Sequence, residues 1–173
     1  MNKVIQLVLF VLLNAGFVSA QSSTHYPEPI GFVNDFEHDF TPAQVKSMEN
    51  TIRGLLVKAM DRDSIKGLEI AVVTVTDSMF VGEKEMSDYA TKIGDKWGVG
   101  TKYPNQGIII AYGRNVRKVA IVTGTGLDKI LPPQVCNDII SQRMAAEFKT
   151  GHPYNAILAA IYSIADQLGV SLK

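Results

Sequence analysis

The run Leu68-Glu-Ile-Ala-Val-Val-Thr-Val-Thr76 is the segment that most restricts the fold. It is rich in β-branched side chains and almost continuously apolar, so as a strand it must be covered on both faces. A strand of that kind needs helices above and below it, and the flanking sequence supplies them. Val45, Met48, Ile52, Leu55 and Ala59 recur at steps of three and four, which predicts a helix over 42–62. Thr41-Pro42-Ala43-Gln44 opens it as a capping box with proline at the first helical position, and Asp61-Arg62-Asp63-Ser64 with Gly67 closes it. Residues 83–97 predict a second helix with Met86, Tyr89, Ala90 and Ile93 on one side, followed by Trp97-Gly98-Val99-Gly100.

Gly107–Tyr112 and Val116–Thr123 read as two strands joined by the polar link Gly113-Arg114-Asn115, an antiparallel hairpin. Pro132-Pro133 opens a third helix running to about Lys149, and Gly151-His152-Pro153 separates it from a fourth whose buried stripe is Ile157, Ile161, Ile164 and Leu168. Gly31-Phe32-Val33-Asn34-Asp35 is a short strand or extended entry ending on an Asn-Asp turn. The expected fold is therefore α/β, a three-layer α/β/α sandwich on a mixed sheet with at least one antiparallel hairpin.

Ahead of the domain, Met1-Asn2-Lys3, an uncharged apolar stretch from Val4 to Phe17 and Val18-Ser19-Ala20 together read as a secretory signal peptide cleaved after Ala20. The apolar run is shorter than the roughly twenty residues a membrane-crossing helix needs. Residues 21–30 are polar and proline-bearing, a flexible lead-in, and residues 31–173 form one domain. Export places the protein in the periplasm or outside the cell. Cys136 is the only cysteine, so no intrachain disulfide can form; it lies within the third helix and is read as a small buried hydrophobe. With 17 basic and 17 acidic residues, of which the leader takes Lys3, the mature chain carries a formal charge of −1. That balance argues against nucleic acid or an anionic membrane as main partner, and a monomer is expected.

Chemical motifs are sparse. There is no Gly-x-Ser-x-Gly, and Gly124-Thr125-Gly126 lacks the third glycine of a dinucleotide loop because position 129 is Lys, so a turn or a close backbone approach is the better reading. Cys136 has no phosphate-cradling loop, and His25, His38 and His152 lack zinc-ligand spacing. Carboxylates at strand ends remain: Asp35, Asp77 and Asp128 each follow a strand-like run, as ligands for Ca²⁺ or Mg²⁺ or as ordinary turn and capping residues.

Taken in order, these pieces resemble the TPM domain family, whose relatives include thylakoid-lumen and photosystem II repair proteins and an auxiliary protein of a nematode acetylcholine receptor. The resemblance rests on Gly31–Asp35 with the helix start at Thr41; Glu69–Val75; Tyr89-Ala90 and Lys96–Gly100; Asn105–Ile110; and Gly124–Asp128. It implies an extracytoplasmic α/β/α sandwich that binds divalent cations at loops near strand ends, and acid phosphatase activity has been attributed to some members. Asp35 matches the aspartate of the family's Val-Asn-Asp, whereas Asp128 stands where Glu is more usual. Many relatives add a C-terminal membrane helix or Gly-rich tail, and the chain ending at Lys173 without either leads to the expectation of a soluble form.

Three functions are thus carried forward. The first is a cation-binding accessory module for a cell-envelope partner, with Asp35 and Asp128 as ligands converging in one pocket and Asn34, Asp77 or Asn105 as helpers. The second is a metal-dependent phosphatase acting on phosphomonoesters, with Lys102 and Lys129 supplying positive charge. The third is an interaction domain without metal, presenting Trp97, Tyr103 and Tyr112, although Trp97 follows a buried stripe and suits the core.

Overall fold

The computed structural model describes residues 26–102 and 104–172; the leader, its cleavage site, residues 21–25, His25 and Tyr103 lie outside them. The elements run β1 (Val33–Asp35), α1 (Pro42–Ala59), β2 (Glu69–Thr74), α2 (Asp77–Phe80), α3 (Met86–Trp97), β3 (Gly107–Gly113), β4 (Lys118–Thr123), α4 (Pro133–Ile139), α5 (Ala145–Lys149) and α6 (Pro153–Gln167). A 3₁₀ turn covers Thr125–Leu127 and a π turn, Ile140–Met144, links α4 to α5. The sheet order is β1-β2-β3-β4, with β1, β2 and β3 parallel and β4 antiparallel to β3. Among the described residues no helix is long and apolar enough to cross a membrane.

The pleat of β2 sorts its side chains to the two faces. Ile70 and Val72 join Ile108, Ile110 and Ile121 beneath α1, α4 and α6, whereas Ala71 and Val73, with Val75 just beyond the strand, join Ile109, Ala111 and Ala120 beneath α3. These are the two cores of a three-layer sandwich. Fully burying an aliphatic side chain such as Ile52 or Ile110, both wholly enclosed, contributes about 1.5–3 kcal/mol. Small residues on the α3 face let that helix lie close: a methyl at Gly94 would stand 3.0 Å from Ile109 Cγ1. Cys136 is buried and free, its thiol pushed up by burial.

The capping box forms as the sequence predicts, Gln44 N donating to Thr41 Oγ1 at 3.3 Å and Thr41 N to Gln44 Oε1 at 2.8 Å. Other boundaries shift. Helix α1 stops at Ala59, α3 starts at Met86 rather than 83, and β4 starts at Lys118 because Arg114–Arg117 form a four-residue turn. The expected flexible lead-in is not free at its end: Trp97 Nε1 donates to Pro27 O at 2.7 Å, Lys96 Nζ to Tyr26 O at 2.5 Å, and the Tyr26 and Tyr89 rings stand 5.3 Å apart. Trp97 is half-buried and tied into this clamp, and Tyr112 is buried, so Tyr112 does not present the aromatic surface considered from sequence.

The two parallel crossovers differ in hand. Both step one strand across the sheet in the same direction, yet α1 packs on one face and α3 on the other. One of them must therefore have the left-handed sense, which parallel connections almost never take.

Gly124 is required for space rather than for conformation. Its φ is an ordinary −72°, but a Cβ there would fall on the Asn105 carboxamide and stand 2.7 Å from Asn105 O. Gly124→Ala should lower stability by about 2 kcal/mol, read as a reduced urea midpoint at unchanged slope.

Candidate functional site

The rim formed by the ends of β1, β2 and β3 gathers the polar chemistry. Asp35, at the end of β1, pairs in register with Thr74 of β2, which pairs with Tyr112 of β3. Asp35 Oδ1 accepts from Asp39 N at 3.0 Å and from Thr74 Oγ1 at 3.1 Å, and Oδ2 accepts from Phe40 N at 2.9 Å. Its carboxylate thus shapes the turn that launches α1, the Asx role open to an aspartate after a strand. Thr74 is fully buried and in turn accepts from Glu37 N at 2.8 Å.

Two further carboxylates of this turn, Glu37 and Asp39, were not singled out from sequence, although the alternation Asp35-x-Glu37-x-Asp39 was visible. Tyr112 donates to Asp39 Oδ2 at 2.5 Å, and Arg114 donates through Nε to the same oxygen at 3.1 Å while its terminal nitrogen pairs with Oδ1. Arg114 N donates to Glu37 Oε2 at 2.9 Å. Burial raises the Glu37 carboxyl above its ordinary range; the Arg114 amide opposes this and the charge of Asp39 reinforces it. Burial raises the Tyr112 phenol strongly, helped by the hydrogen bond to Asp39 and by the charges of Asp39, Glu37 and Asp35. The charges of all three carboxylates thus act on one phenol, which Asp39 alone bonds, and Arg114 pairs with Asp39 beside it.

This cluster fixes the sign of an alkaline pH dependence. An unfolded tyrosine ionises near its usual 10.0, whereas folded Tyr112 keeps its proton, so its contribution is complete below pH 10 and fades as pH rises beyond it. Above that point stability should fall by about 1.4 kcal/mol per pH unit for each such tyrosine. Tyr89 is raised in the same way, by burial first. Tyr112→Phe should remove one of the two shares, a shallower decline measurable by urea unfolding between pH 9.5 and 11.

Of the residues expected to hold a cation, the structure brings only some together. Asp77 lies on the same rim as Asp35, exposed, and accepts from Asn115 Nδ2 at 3.3 Å. Asp128 and Asn105 lie on the opposite rim. Asp128 follows β4, which ends at Thr123 opposite Ile108 near the start of β3, so it is offset from Asp35 along the strands by at least about 13 Å. Gly126 N donates to Asn105 O at 2.6 Å, and the Asn105 side chain accepts from Gly107 N at 3.3 Å. The single pocket uniting Asp35 with Asp128 does not exist, because an antiparallel strand delivers its C-terminal loop to the rim where its partner begins.

Asn34 is wholly buried and committed to backbone. Its Oδ1 accepts from Ile30 N at 2.6 Å and Gly31 N at 3.3 Å, and its Nδ2 donates to Gly31 O and Val72 O, both at 3.1 Å. It is a structural lock and has no free oxygen face to offer a metal. Lys102 sits at the far rim, 3.5 Å from Glu69 Oε1, and Lys129 adjoins Asp128 there, so neither serves the Asp35 cluster. Among the described residues no three His, Cys, Asp or Glu side chains close around one point as a metal centre.

A model of the TPM domain matches residues 33–167. The chain belongs to the TPM domain family. Solved structures agree in fold. The solution NMR structure of the N-terminal domain of a protein from P. gingivalis superimposes with a TM-score of 0.67 at 26% identity, covering 79% of this chain and 81% of that one. The N-terminal domain of cg2496 from Corynebacterium glutamicum gives 0.57 at 17% identity, covering 91% and 89%. The BA42 protein of the psychrophile Bizionia argentinensis gives 0.55 at 16% identity, covering 78% and 84%. No curated protein sequence matches. This TPM domain thus carries its carboxylate cluster where the β1 and β2 connections leave for opposite faces, the place where α/β sheets open a crevice beyond their strand ends.

Proposed function

We propose that this TPM domain is an extracytoplasmic binding module of the cell envelope whose working surface is the rim carrying Asp35, Glu37 and Asp39, with Ca²⁺ or Mg²⁺ as its ion. The observation behind this reading is the placement of Asp35, Glu37 and Asp39 in one turn at this rim, with Asp39 bonded to Tyr112 and Arg114 as counter-charge to Asp39. Hard oxygen donors of this kind suit either ion. Glu37 and Asp39 are the ligands a cation would take, by displacing the exposed Arg114, while Asp35 braces the loop from within. The envelope partner would then read the ion-bound loop.

Because Arg114 already neutralises part of the cluster, Arg114→Gln should tighten Ca²⁺ binding by about fivefold, measured by isothermal titration. Absence of heat with Ca²⁺ and Mg²⁺ in both wild type and variant would remove this reading.

A metal-dependent phosphatase is the second reading, favoured by one feature: Arg114 and Tyr112 of the cluster also border a cleft rimmed by further cations. Those cations replace Lys102 and Lys129 in the role assigned to them from sequence. Cation-dependent release of phosphate from an aryl phosphate, lost in Asp39→Asn, would promote this reading over the first.

A further inference from the structure

We infer that the cleft between the β3–β4 hairpin and α5 is a binding site for a small amphipathic anion, an aromatic or aliphatic body bearing one carboxylate or similar oxyanion. This goes beyond the cation reading and does not depend on it. The cleft encloses about 550 Å³, within the range of small-ligand pockets. Its apolar interior comes from Val119, Ile140, Ala145 and Phe148 with the ring of Tyr112, which stands 5.1 Å from that of Phe148.

Its rim is cationic, formed by Arg114, Arg117, Lys118 and Lys149. Two of these charges are neutralised, Arg114 by Asp39 and Lys118 by Glu85 at 3.2 Å. Arg117 and Lys149 have no carboxylate partner among the described residues. An apolar cavity with two uncompensated cations at its mouth is complementary to a ligand having one greasy end and one anionic end.

Backbone geometry adds two independent pointers. Arg117 has φ of +53°, a left-handed conformation that glycine adopts freely and a long side chain adopts at a cost, and such strain concentrates at ligand-binding positions. On the other wall the helix from Pro133 to Lys149 is interrupted by the π turn Ile140–Met144. Ile140 begins that turn and Ala145 follows it, and both line the cleft; insertions of this type are frequent at functional sites.

The test uses 1-naphthoate as probe, titrated into the ¹⁵N-labelled protein in a chelator-containing buffer, so that a failed cation site leaves the result untouched. Saturable cross-peak shifts confined to the neighbourhood of Val119, Ile140, Phe148 and the 114–117 turn are expected. The neutral analogue 1-naphthalenemethanol should bind at least about tenfold more weakly, and the double variant Arg117→Gln/Lys149→Gln should lose about tenfold for naphthoate. Both replaced residues are exposed, and an unchanged cross-peak pattern in the unliganded variant establishes its fold. The inference is overturned if no saturable shifts occur up to millimolar naphthoate, if they map elsewhere, if the alcohol binds equally well, or if the folded double variant retains full affinity.

Discussion

Asn34→Ala should unfold with a stability lower by about 4 kcal/mol, the largest loss expected from a single polar side chain in this domain. Four backbone groups depend on that carboxamide: the amides of Ile30 and Gly31, and the carbonyls of Gly31 and Val72. Truncation to a methyl satisfies none of them. The Val72 carbonyl is the worst placed, since Asn34 and Val72 are both fully buried and a stranded acceptor there keeps its whole desolvation cost. Asn34→Asp should be nearly as damaging, because two donors become acceptors facing two carbonyls. Equilibrium urea unfolding followed by far-UV circular dichroism measures both variants. A loss below about 1 kcal/mol for Asn34→Ala would mean that the entry segment is not locked as described.

Asp35→Ala should cost about 3 kcal/mol. Two amides, of Asp39 and Phe40, and the Thr74 hydroxyl donate to this carboxylate, and they set the path from β1 into the capping box at Thr41. In Asp35→Asn one oxygen remains to accept, so about half of that loss is expected. The pair matters for any binding experiment. Loss of Ca²⁺ heat in Asp35→Ala would report a collapsed loop as readily as a missing ligand, whereas Asp39→Asn touches only Tyr112 and Arg114. Asp39→Asn that abolishes Ca²⁺ binding while leaving the unfolding free energy within about 1 kcal/mol of wild type identifies a ligand.

The layers of the fold were legible because they depend on short-range patterns. The 3.6-residue stripe of α1, the β-branched β2 and the Thr41–Gln44 box each announce themselves within a few residues, and each appears in the structure. The hairpin too was legible, and it held the correction to the site: a strand antiparallel to its neighbour ends where that neighbour starts, so Asp128 belongs beside Asn105 and not beside Asp35. What the sequence hid are associations across long separations. Tyr112 and Asp39 are 73 residues apart, and nothing local to a tyrosine at the end of an apolar strand names a carboxylate as its partner. Arg114 read as turn filler and Arg117 as part of the following strand, since nothing in an arginine signals a left-handed backbone. The π turn is equally silent, being one residue more than the helical repeat needs inside a run, Ile-Ser-Gln-Arg-Met, that is otherwise ordinary helix sequence.

The opposite hands of the two crossovers have an evolutionary consequence. Because the chain after β1 climbs over one side of the molecule and the chain after β2 over the other, each connection can gain or lose residues without crowding its neighbour. Descendants of such a scaffold can remodel one wall of the gap between them while the second wall and both hydrophobic layers are inherited unchanged.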